Sequence, residues 1–135
     1  MNKQHFFRIA LVLALAGCGA AAQAQIVVVG HPSSAGLSGD QIVDVYTGKS
    51  QAAAPLDQPE SAHVRADFYK KATGKDQSQM KAIWARLTFT GKAQPPKEVP
   101  DSIAVKKAVA ADPKAIGYIE KSAVDGSVKV LASFD

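Results

Sequence analysis

From Asp57 onward the chain reads Asp57-Gln58-Pro59-Glu60-Ser61-Ala62-His63-Val64-Arg65-Ala66-Asp67-Phe68-Tyr69, a run whose residue types are suited to holding an anion. Pro59 ends an extended segment, because the residue before a proline is pushed out of the α region. Ser61 stands where an N-cap belongs, and Val64, Phe68, Tyr69 and Ala72 follow at helical spacing. A helix starting there aims unpaired N–H groups at the loop before it, and such a terminus attracts anions. Arg65 lies one turn in. Helical side chains lean toward the amino end, which brings its guanidinium within reach of the same mouth. Ser61, Ala62, His63 and Arg65 are therefore candidate anion-binding residues, together with Ser33 and Ser34 from an earlier loop. The competing reading is that Ser61 only caps a surface helix and Arg65 is a solvated charge.

Other chemistries find little support. The histidines are His5, His31 and His63, without the H-x-x-x-H spacing of a metal site, and Cys18 is the only cysteine. No G-x-S-x-G elbow or glycine-rich phosphate loop is present. Asp57, Ser61 and His63 are too close in sequence to suggest a catalytic triad, and the acidic residues are scattered singly. The expectation is a protein that is not an enzyme, with no metal and no cofactor.

The elements that must position these residues follow from hydrophobic patterning. Ile26-Val27-Val28-Val29-Gly30 reads as a strand buried on both faces, as in a parallel sheet. Ser38 and Gln41 form a capping box for a helix with Ile42, Val45 and Tyr46 on its apolar stripe, ended by Gly48. A short strand over residues 54–57 leads to the helix at Ser61, which Thr73-Gly74 stops. Asp76 and Gln79 repeat the capping box. Met80, Ile83, Trp84 and Leu87 then mark a core stripe, in which Trp84 is read as core rather than as a ligand platform. Residues 90–96 form a rigid loop, and Asp101 caps a fourth helix that ends before Pro113. Residues 115–119 and 128–131 read as further strands. Strands alternating with helices predict an α/β domain with a mostly parallel sheet flanked by helices. Ligands in such sheets sit beyond the carboxyl ends of the strands, and the loop at residues 31–36 and the turn at 58–61 are both expected at that edge.

The first 24 residues read as an export signal. Lys3 and Arg8 precede a short apolar core, and Ala22-Gln23-Ala24 resembles a cleavage site. The apolar stretch is far below the roughly 20 residues a membrane-spanning helix needs. Leu15-Ala16-Gly17-Cys18 also resembles a lipoprotein box, so the alternatives are a soluble periplasmic product and one lipid-anchored through Cys18. Loss of Lys3 and Arg8 takes the basic residues from 16 to 14 against 12 acids, leaving about +2. With no basic run, nucleic acid is not an expected partner. Residues 25–135 suffice for one domain.

Several segments together resemble the phosphate-type periplasmic substrate-binding proteins. Ile26 to Gly30, Leu37-Ser38, Gln41-Ile42 and Val45-Tyr46-Thr47-Gly48-Lys49 are similar to their V-V-V-N … L-S … I-F-x-G-K pattern. Pro59-Glu60-Ser61 with Phe68 corresponds to their D-G-S-G-T … F segment, and Ala115-Ile116-Gly117-Tyr118-Ile119 to their G-A-I-G-Y-V strand. The resemblance covers one of the two lobes such proteins have, and implies one lobe of a type II periplasmic binding protein. It implies binding of phosphate or a similar oxyanion, helped by an envelope partner or a second copy. The alternative is a ligand-free interaction or scaffold module. Ser61 keeps the family's serine, but Ala62 and His63 replace its glycine and threonine, and Asp57 stands where its arginine would be. Arg65 is then the candidate substitute for that arginine.

Overall fold

β1 (Ile26–Gly30) is buried along its whole length, because its β-branched residues serve two cores at once. Successive strand residues face opposite ways. Ile26 and Val28 accordingly join one cluster, and Val27 and Val29 the other. The computed structural model describes residues 25–135; the expected export signal, with Cys18, lies outside the described residues. Around β1 the chain adds α1 (Gly39–Tyr46), β2 (Ala54–Asp57), α2 (His63–Thr73), α3 (Gln77–Phe89), β3 (Lys97–Glu98), α4 (Ser102–Ala111), β4 (Ala115–Glu120) and β5 (Lys129–Phe134). The helices α1, α2 and α3 supply the first cluster and α4 the second, one on each face of the sheet. Among the described residues no helix is long and apolar enough to cross a membrane.

The sheet order is β3-β2-β4-β1-β5. β2 pairs in parallel with β3 and β4, whereas β1 runs antiparallel to both β4 and β5. Four strands thus point one way and β1 alone is reversed, so the sheet is mostly parallel. The reversal corrects one expectation about the loops. Gly30, at the end of β1, sits opposite Ile116, and Ile116 also pairs with Pro55 near the start of β2. The loop at residues 31–36 therefore leaves the edge where β2 and β4 begin, and the turn at 58–61 leaves the opposite edge.

Capping follows the sequence at three helices. Ser38 and Asp76 form the expected boxes with Gln41 and Gln79, and Asp101 accepts the Ala104 amide at 2.8 Å. At α2 the expectation fails. Ala62 is the N-cap and offers no side-chain acceptor. The Ala62 amide closes a turn on the Pro59 carbonyl at 2.9 Å, which places Ser61 inside the turn and starts the helix after it. Gly74 ends α2 with φ 70°, as a C-terminal glycine does.

Candidate functional site

β2 ends in Asp57 and Gln58 follows it; both are buried. A carboxylate at that depth needs partners, and neighbouring elements supply them. Tyr69 of α2 donates its hydroxyl to Oδ2 at 2.6 Å, Tyr118 of β4 donates a short hydrogen bond to Oδ1, and the Gln58 amide adds a third at 3.0 Å. Arg65 brings Nε to 3.7 Å from Oδ1. Burial first, and then the charge of Asp57, hold both phenols well above their ordinary ionisation range. Gln58 completes the junction, its side-chain amide donating to the Tyr118 carbonyl at 3.0 Å and to Ser102 Oγ at 3.2 Å.

Arg65 is committed at the base of the turn. Its Nη1 donates to the Gln58 carbonyl at 2.8 Å and lies 3.7 Å from Glu98 of β3, while the guanidinium carbon stands 5.9 Å from the Tyr69 ring centre. Two carboxylates thus share its charge, while its guanidinium reaches the base of the turn through the Gln58 carbonyl. Ser61 and His63 are exposed beside the first turn of α2, and Ala62 is half-buried against the core. Ser61, Ala62 and His63 are brought together; Ser33 and Ser34 are not. Those two lie at the other edge of the sheet, where Ser33 bonds the His31 ring and the Ser34 carbonyl accepts from Lys129 at 3.3 Å. The reason is the reversed direction of β1. Among the described residues no group of three or more His, Cys, Asp or Glu is placed to hold a metal ion.

Next to Asp57 and Arg65 opens a cavity of about 610 Å³, walled by Met80, Trp84, Ala85 and Phe89 of α3 and by Pro95 and Pro96, with Lys81, Thr88 and Glu98 completing it. Trp84 belongs to the core as expected, donating its indole N–H to the Tyr46 carbonyl at 3.1 Å, yet it also faces this cavity. Sequence reasoning missed the cavity, although one signal was available. Phe89 falls outside the Met80, Ile83, Trp84, Leu87 stripe, and it is 93% exposed.

No family model matches the chain, and no curated protein matches it. Solved structures do. An ABC-type phosphate transport receptor from Vibrio cholerae superposes with a TM-score of 0.59 at 19% identity, over 80% of this chain and 46% of the receptor. A putative phosphate ABC transporter substrate-binding protein with bound phosphate, from Clostridium perfringens, gives 0.62 at 21%, over 80% and 45%. PstS from Borrelia burgdorferi gives 0.57 at 13%, over 81% and 47%. The chain spans less than half the length of each of these proteins. At such identities the likeness establishes the fold, that of one lobe of a phosphate-type binding protein.

Proposed function

We propose that this chain is an exported, periplasmic, solute-binding-like lobe that seats phosphate or a similar oxyanion at the open first turn of α2, and that a partner or a second copy closes over the guest. The observation that carries this reading is the missing side-chain cap. Of the four α-helices among the described residues, α2 alone leaves its first-turn amides without one, and it does so beyond the carboxyl end of β2. A phosphate-bound structural neighbour supports the choice of ligand, and the pattern in residues 1–24 supports export. The fold neighbours are binding proteins, which fits the absence of a nucleophile or metal constellation in the sequence.

The seat is shallow. A helix terminus and its amides contribute about 1–3 kcal/mol to an anion facing water, which corresponds to millimolar binding or weaker. Asp57 deepens the problem by replacing the bidentate donor with a carboxylate and by drawing Arg65 away. That second fact favours the other reading, a lobe retained as an interaction module without a ligand.

Thermal unfolding in phosphate, against chloride at matched ionic strength, separates the two. About 50 mM phosphate at a dissociation constant near 10 mM adds about 1 kcal/mol of stability and raises the midpoint by several degrees. General salt exclusion raises every variant alike. Ala62→Ser supplies the missing cap, raises the midpoint by itself through about 1 kcal/mol, and abolishes the phosphate-specific part. Equal midpoints in phosphate and chloride would leave the interaction module as the reading.

A further inference from the structure

We infer that the cavity beside α3 binds an amphiphilic organic monocation, an aromatic or alkyl body bearing one amine or ammonium group. The volume, about 610 Å³, falls within the range of roughly 300–1,000 Å³ usual for ligand pockets, and apolar walls carry a few polar groups at one end of an open groove. Trp84, Phe89, Pro95 and Pro96 make those walls. Phe89 is exposed over 93% of its surface and belongs to neither core cluster, so its ring is free to meet a guest.

Charge complementarity selects the guest. Asp57 and Glu98 share the single guanidinium of Arg65, which stands 3.7 Å from each. Two negative charges against one positive leave that end of the cavity at −1. Lys81, the other cation of the lining, is 75% exposed at the rim and has its own carboxylate, Glu60, at 3.8 Å. A carboxylate or phosphate guest would add to uncompensated negative charge, whereas an ammonium completes it. The indole N–H of Trp84 is already used on Tyr46, which leaves the ring face as what Trp84 offers. Aromatic faces attract cations. This site is independent of the oxyanion reading, since it uses opposite charge and other walls.

Trp84 is the only tryptophan of the chain; it lines both this cavity and a smaller one beside Gly48 and Gln51, so its fluorescence reports binding and Glu98→Gln assigns that binding to this cavity. Phenylbutylamine, phenylbutanol and phenylbutyrate present one body with a positive, neutral or negative head. The expected result is a saturable change in Trp84 emission with the amine, at a dissociation constant about tenfold lower than for the acid, the alcohol lying between. Glu98→Gln, at an exposed position that carries no core packing, weakens the amine by up to about fivefold, as expected of a solvent-facing ion pair. It leaves the alcohol unchanged. The inference is overturned if the acid or the alcohol binds most tightly, if none of the three saturates by about 10 mM, or if the amine binds Glu98→Gln as well as it binds the native chain.

Discussion

Asp57 accepts hydrogen bonds from two tyrosines and one backbone amide and lies 3.7 Å from Arg65, all within one buried junction of β2, α2 and β4. Removal of one partner from such a cluster costs more than the cluster itself contributes, because the groups left behind stay buried without acceptors. Asp57→Ala strands the hydroxyls of Tyr69 and Tyr118 and half the compensation of Arg65. A loss of about 3–5 kcal/mol in chemical denaturation is expected. Asp57→Asn keeps an acceptor and a similar shape, so its cost should be smaller, about 1–3 kcal/mol. Equal losses for the two variants would mean that the charge on Asp57, and with it the pairing to Arg65, is immaterial. At this scale the place that the resemblance assigns to an anion-binding arginine is occupied by a structural carboxylate.

The close seating of α4 on the sheet depends on one position. A Cβ built on Gly117 of β4 runs into Val105 Cγ1 of α4, and Val105 is fully buried. Gly117→Ala should therefore destabilise by about 1–3 kcal/mol through overpacking. Val105→Ala destabilises separately by leaving a void. The double variant should be more stable than the sum of the two losses allows, since each change relieves the other, and a double-mutant cycle measures that coupling. Strict additivity would place the conflict elsewhere. Elements of this kind were largely legible beforehand. β1, β2 and β4 fall where the apolar runs lie, and the caps Ser38, Asp76 and Asp101 act as their spacing implies. The direction of β1 was not legible, because a strand buried on both faces has the same composition whichever way it runs. β3 is two exposed residues after a proline pair and carries no apolar signal. The site is less legible for the same physical reason. Loop order and helical reach point Ser33, Ser34 and Arg65 toward Ser61, while strand direction and the buried Asp57 decide where they sit.

On the scale of the whole molecule, all three tyrosines of the chain, Tyr46 of α1, Tyr69 of α2 and Tyr118 of β4, meet in one aromatic core with Phe68. Burial first, then the nearby charge of Asp57, raises the ionisation of each well above the ordinary value near 10.0. The unfolded chain has no such environment, so its tyrosines release their protons near pH 10 while the folded chain keeps them. Stability from this source is complete below pH 10 and falls as the pH rises beyond it. With three such groups the fall reaches up to about 4 kcal/mol per pH unit. A domain stable by about 5–15 kcal/mol therefore has only a few pH units above 10 before it unfolds. Because the three rings come from three elements and pack on one another, none can ionise without opening the shared core. In an alkaline titration the tyrosinate absorbance should thus rise in one step that coincides with loss of the far-ultraviolet circular dichroism. Tyrosinate appearing near pH 10 with the circular dichroism intact would show that at least one ring reaches solvent in the folded state, and that the aromatic junction is not the common core of the lobe.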